Sequence, residues 1–134
     1  MKTAITQNLK SVITGYLDAA LHLAEDMQDE DIEDFSMETK ITAIEDCMAI
    51  LQLKDTAWIG SYSSATEEER DNMTKYVKNP HQIGCDFWLT RNGHGAGFWD
   101  RELGRFGDAI TASAERFKTL DVVVGDDGQL YLEG

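Results

Sequence analysis

From Ile5 to Met27, apolar side chains recur at three- and four-residue steps, through Leu9, Val12, Ile13, Tyr16, Leu17, Ala20, Leu21 and Ala24. That is the period of a helix burying one face. The spacing predicts a first helix that stops near residues 27–30. Beyond that point Glu25, Asp29 and Glu33, and likewise Asp26, Glu30 and Asp34, would stack like charges on one helix face and oppose the dipole at its C-terminus. A second helix is predicted over 37–53, with Ile41, Ile44, Met48 and Leu51 as its apolar side and Ala43, Cys47 and Ile50 widening the stripe. Ser36 is placed to cap it, and Glu38 suits its first turn. Residues 54–65 keep no period and read as a loop or a short irregular strand. Thr66-Glu67-Glu68-Glu69 fits a capping box that opens a third helix, with Met73, Tyr76 and Val77 on its apolar side and Asn79-Pro80 as its stop.

Past Pro80 the pattern changes. Asp86-Phe87-Trp88-Leu89-Thr90-Arg91 is rich in strand formers, Asn92 to Gly97 is a cluster of turn formers, and Phe98-Trp99 resumes apolar character, which together read as a hairpin or as a strand and a glycine loop. Trp99, Leu103, Phe106, Ile110, Ala114 and Phe117 give a fourth helix with Asp100 as its cap, and Gly104 and Gly107 within it suggest close approach of another backbone. Val122-Val123-Val124 and Leu130-Tyr131-Leu132 flank Gly125-Asp126-Asp127-Gly128, a terminal β-hairpin. The expected fold is α+β, with about four helices and an antiparallel sheet of three or four strands. It forms one domain over 1–134, mainly helical and acidic to residue 79, then a glycine and aromatic motif, a helix and the hairpin.

Charge sharpens this outline. The 134 residues hold 12 basic and 25 acidic side chains, a net charge of −13. Such an excess opposes direct binding to nucleic acid or to an anionic membrane. No apolar run reaches the roughly 18 residues of a membrane span, and the first residues lack the apolar centre of a signal peptide. These features predict a soluble intracellular protein, in which Cys47 and Cys85 are reduced thiols and Cys47 belongs to the core. The charge is also unevenly spread. Glu25, Asp26, Asp29, Glu30, Asp31, Glu33, Asp34 and Glu38 fall within fifteen residues that contain no base, whereas residues 86–118 balance five acids against five bases. About 21 Å of DNA duplex carries about 12 charges, and fifteen helical residues would span about that length. An acidic partner surface, or a DNA-mimicking inhibitor, is therefore physically admissible beside the plainer role of a solvated connection.

Chemistry concentrates in the neutral part. Trp88, Arg91, Asn92, His94, Trp99 and Arg101 are candidate ligand-binding residues around the Gly93–Gly97 loop. If the protein is an enzyme, His94 would move a proton, with Asp86 or Asp100 orienting it. The structural alternative gives the glycines to turn geometry, the aromatics to the core, and the pairs Asp86/Arg101 or Arg91/Asp100 to ion pairs. The loop matches neither a phosphate-cradling nor a dinucleotide motif, so no cofactor is indicated. His22, His81 and His94 are far apart in sequence without recognisable zinc spacing, so no metal site is expected. Cys85 with His81 or His94 would make a thiol–imidazole pair that lacks a visible activator. Asp126-Asp127-Gly128 is turn chemistry, not a calcium loop.

The block Asp86–Arg101, read DFWLTRNGHGAGFWDR, and the later Val124-Gly125-Asp126-Asp127-Gly128 resemble a family of small phage and prophage proteins, over roughly residues 80–132. The resemblance implies work in the host bacterial cytoplasm, where small acidic phage proteins often bind and block host machinery. The leading expectation is thus a noncatalytic accessory protein that binds a host or phage macromolecule, such as a nucleic-acid-handling protein, partly through the acidic block. The alternatives are a ligand-binding protein or enzyme at the glycine loop, and a virion or assembly component.

Overall fold

A computed structural model describes residues 2–24, 27 and 29–134. The fold is α+β. Among the described residues the α-helices are α1 (Lys2–Leu23), α2 (Met37–Ser61), α3 (Glu67–Val77), α4 (Pro80–Arg91) and α5 (Arg105–Ala114). Strands β1 (Asp121–Val124) and β2 (Leu130–Glu133) form an antiparallel hairpin, pairing Val122 with Leu132 and Val124 with Leu130. Short 3-10 turns sit at Ile32–Asp34, Tyr62–Ser64 and Phe98–Asp100.

Two of the three predicted caps are present. The Ser36 side chain accepts from the Thr39 N–H and starts α2, and Thr66 with Glu69 closes a reciprocal capping box on α3. Other expectations need correction. α1 ends at Leu23, short of 27–30. α2 runs on through the predicted loop to Ser61, burying Ala57 and Ser61, because nothing from Lys54 to Ile59 breaks a helix. Residues 86–91 are helical. Asn79-Pro80 closes α3 but also opens α4, since the Asn79 side chain accepts from the Gln82 N–H and proline at the first helical position gives up no needed donor. From there Ile83, Phe87 and Arg91, with Gly84 and Trp88, bury two adjoining lines of a helix. Among the described residues the sheet therefore has two strands, not three or four. Asp100 does not cap α5, which starts only at Arg105, because Glu102 at φ 58° and Gly104 at φ 61° break the helical path.

α1 and α4 make the most extensive interhelical contact, and glycine permits it. A methyl group on Gly84 would stand 1.9 Å from the Val12 carbonyl oxygen, and one on Gly15 would stand 2.0 Å from that of His81. Around this crossing the core gathers Tyr16, Phe87 and Trp88, with ring centroids 5.1 and 5.3 Å from Tyr16. The core then extends through Cys47 and Ile50 of α2 and Phe106 and Ile110 of α5 to Leu130. Phe35 pairs with Leu130 as a parallel bridge, and the Ser36 N–H donates to the Leu130 carbonyl at 2.9 Å, which docks the hairpin against the start of α2.

The hairpin turn makes a modest pH prediction. Tyr131 Oη and the Gln129 N–H both donate to the Asp127 carboxylate, the first at 2.5 Å, and these bonds hold its pKa below the ordinary carboxylate value. The stabilisation is thus complete above about pH 3.9, the unfolded value, and is lost as pH falls through the lowered folded value. An NMR titration should place the Asp127 midpoint below that of a free aspartate. A midpoint at or above the free value would remove these hydrogen bonds from the turn.

Candidate functional site

The glycine loop is first of all the end of a helix. Asn92 stands at the C-cap of α4, Gly93 takes φ 70°, the Gly93 N–H donates to Thr90 O at 3.2 Å and the His94 N–H to Leu89 O at 3.0 Å. That is the paired 5→2 and 6→1 pattern of a Schellman motif, which satisfies orphan carbonyls of the last turn. The Asn92 side chain finishes it, donating to Trp88 O and accepting from the Leu120 N–H at 2.7 Å. Gly97 lies against Thr90, where a methyl group would stand 2.2 Å from Oγ1, and the neighbouring Phe98 N–H donates to that oxygen.

The two arginines are committed inside the protein. Arg101 forks onto Asp86, Nε to Oδ2 at 3.0 Å and Nη2 to Oδ1 at 2.8 Å. Asp86 is fully buried and also accepts from Tyr76 Oη and Gln82 Nε2. Burial, together with this carboxylate, pushes the Tyr76 phenol well above its ordinary pKa, so it stays a donor. Of the two anticipated ion pairs, Asp86/Arg101 forms. Arg91 pairs with Asp46 at 2.9 Å instead of Asp100, donates to Tyr16 Oη and through Nε and Nη2 to Lys118 O, and lies over the Phe87 and Phe117 rings.

The predicted ligand site therefore does not converge. Arg91 lies at a cavity of about 730 Å³ whose walls include Asp46, Thr42, Lys118 and Tyr131. His94, exposed, shares a separate recess of about 360 Å³ with Trp88 and Asn92, which no arginine lines. Trp99 and Asp100 face solvent, and Arg101 is held under α3 and α4. Proton transfer by His94 beside an arginine-bound anion has no geometric basis in this arrangement.

The acidic block is a surface. Asp29, Glu30, Asp31, Glu33, Asp34 and Glu38 are all exposed, while Glu25 and Asp26 lie outside the described residues. Asp31 and Asp34 cap each other's backbone in the 3-10 turn, and Lys40 pairs with Glu33 at 3.1 Å. The neighbouring Asp34 carboxyl, with which Glu30 can share a proton, raises the Glu30 pKa above its ordinary value.

Sequence reasoning misassigned the outer face of α2, the helix that follows these acids in the chain. Ile41, Ile44 and Met48, expected in the core, point outward on α2 with Met37. The exposures are 69% for Met37, 51% for Ile41, 36% for Ile44 and 47% for Met48. The buried side of α2 is instead Thr39, Ala43, Cys47, Ile50 and Ala57, all but Ile50 small residues that allow α5 and α1 to approach. The available signal was that α2 carries two apolar stripes where one packed face needs only one.

Cys85 also has a fuller setting than the sequence suggested. His81 Nδ1 is 3.7 Å from Cys85 Sγ, and His81 Nε2 is 3.3 Å from Asp18 Oδ2. The i, i+4 spacing of His81 and Cys85 was a usable signal only once residues 80–91 were known to be helical.

No family model, curated protein or solved structure matches the chain.

Proposed function

We propose that this is a noncatalytic accessory protein that works by docking to another protein. The docking face is the outer stripe of α2, Met37, Ile41, Ile44 and Met48, together with the acids of residues 29–38. One observation carries the reading: four large apolar side chains at i, i+4, i+7 and i+11 stand in solvent on the helix that directly follows, in the chain, its densest negative charge. Exposed apolar runs of this kind, rimmed by polar groups, mark interaction sites, and methionine is enriched in such sites. Carboxylates around the rim steer encounter and select a partner of opposite charge, while the apolar centre slows dissociation.

The partner that fits is a host or phage protein with a basic, amphipathic surface, a description that suits nucleic-acid-handling proteins. The acids from Asp29 to Asp34 ride on a connection and a single 3-10 turn, and Glu38 on the first turn of α2, instead of on one fifteen-residue helix, so the reading rests on steered docking to a shaped surface rather than on copying the spacing of duplex phosphates. Phage origin and action in the host bacterial cytoplasm rest on the sequence resemblance. No described helix is long and apolar enough to cross a membrane.

Affinity capture from bacterial lysate tests the proposal with three forms of the chain. Ile41→Glu with Met48→Glu should reduce recovery of the partner by about tenfold or more, the loss expected from hot-spot residues. Neutral amides at Asp29, Glu30, Asp31, Glu33 and Asp34 should weaken capture most at low salt. Both variants keep the core intact, since every replaced side chain is exposed. Equal recovery by all three forms would eliminate this face.

A further inference from the structure

The outer stripe of α2 has the spacing of a seam between two helices. Met37, Ile41, Ile44 and Met48 follow one another at steps of four, three and four residues, and the next three-residue step reaches the half-buried Leu51. Alternating threes and fours give a mean period of about 3.5 residues, the repeat by which one helix packs along another. One further four-residue step reaches Asp55, exposed and paired with Lys54, where the seam ends. At about 100° of turn per residue, Glu38, Thr42 and Glu45 border the stripe on one side, and Lys40 and the buried Cys47 border it on the other. The apolar strip is thus one side chain wide and, from Met37 to Met48, about 17 Å long. Another helix, whose own seam is equally narrow, covers such a strip without burying the carboxylates beside it. A sheet, with neighbouring strands about 4.8 Å apart, would lie across them and strip their water.

Charge then separates the helices that could lie there. Glu38 and Glu45 are exposed, the acids of residues 29–34 come just ahead of α2 in the chain, and Lys40, the one base between Met37 and Met48, is paired with Glu33 at 3.1 Å. A second copy of this chain would bring the same acids and another net charge of −13. A basic helix instead meets these carboxylates with opposite charge. We infer, on the docking reading above, that the occupant of this face is a single amphipathic α-helix of a partner protein. Its apolar residues recur at steps of three and four, lysines or arginines flank them, and it packs lengthwise on α2 at the shallow crossing angle of about 20° found in coiled coils. The acids gather toward the start of α2, where Glu38 and Glu45 flank the stripe and Gln52 takes the next such place. The partner's bases therefore gather at the end that lies over Glu38.

Fluorescence anisotropy with a labelled synthetic peptide tests this on the full chain. The probe is two heptads long, with leucine at the seam positions and lysine beside them, and its control replaces each lysine by glutamate. The native chain should bind the lysine probe about tenfold or more tightly than the glutamate control at low salt, and the gap should close as salt screens the charges. Helices this short are marginal in water, so the probe's helical content, read by circular dichroism, should rise on binding. Ile41→Glu with Met48→Glu should weaken binding by about tenfold or more, while Val124→Thr, at an exposed apolar residue of β1, should leave it unchanged. A lysine probe that does not bind, that binds without becoming helical, or that binds the doubly substituted protein as well as the native one would overturn the helical occupant. So would a native chain that sediments as a dimer held by Ile41 and Met48, since a second copy would then cover the face. Lysate capture that depends on Ile41 and Met48, in a chain indifferent to the probe, would keep the docking reading and overturn only the helical form of what docks.

Discussion

Replacing Asp86 by alanine is expected to lower the stability of the protein by about 3 kcal/mol, the lower end of what breaking a buried ion pair costs. The carboxylate is fully buried and receives four donors: Nε and Nη2 of Arg101, the Tyr76 hydroxyl and the Gln82 amide. Its loss leaves the Tyr76 hydroxyl without its acceptor in the interior, and an unmade buried hydrogen bond costs far more than a made one returns. The low end applies because the Arg101 side chain is 32% exposed and recovers part of its hydration. Urea unfolding at neutral pH measures the change. Removing the charge partner as well, with Arg101→Met beside Asp86→Ala, should return part of the loss, because no guanidinium then remains uncompensated. A single-variant loss below about 1 kcal/mol would mean that the network is not what ties α3, α4 and the 98–101 turn together.

Gly84→Ala should also destabilise the protein. Its new methyl would meet Val12 O at 1.9 Å, Tyr16 N at 2.7 Å and Val12 C at 2.8 Å, all backbone atoms that no side-chain rotation can move. α1 and α4 must then separate, loosening the Tyr16–Phe87 and Tyr16–Trp88 contacts and the Arg91–Tyr16 hydrogen bond. Alanine is the better helix former by about 1 kcal/mol, but overpacking costs about 1–3 kcal/mol and occasionally more, and clashes with fixed backbone atoms put Gly84 at the upper end. The midpoint of thermal unfolding should fall by roughly 10 °C. Gly60→Ala is the control: Gly60 also sits in a helix, yet nothing lies within 4 Å of the added carbon, so its midpoint should hold or rise. A Gly84→Ala protein as stable as the native one would contradict the close crossing.

The features legible in the sequence were those fixed by near neighbours. Ser36 and Thr66 cap helices because a hydroxyl three residues before a free N–H is a local arrangement, and the terminal hairpin follows from two short apolar runs around Gly125-Asp126-Asp127-Gly128. Residues 86–91 misled because the strand formers Phe87, Trp88 and Thr90 were weighed without the helix start at Asn79-Pro80, which sets their period. The direction α2 faces could not be read from periodicity, since both Ala43-Cys47-Ile50 and Ile41-Ile44-Met48 satisfy it. Only the small side chains that α5 and α1 can approach decide the matter. Ion-pair choice failed similarly for Arg91, whose partner Asp46 lies on another helix, far from the glycine loop that suggested Asp100. The outward apolar stripe, on which the functional reading depends, is therefore a tertiary fact.

Methionine oxidation in the purified complex tests that reading most directly. In the free protein Met37 and Met48 are exposed and Met73 is fully buried, so a brief pulse of oxidant should convert the first two to sulfoxides and spare the third. Docking along α2 predicts that the partner slows oxidation of both Met37 and Met48 while Met73 stays unchanged. A complex in which Met37 and Met48 oxidise as fast as in the free chain would place the partner elsewhere and contradict the account.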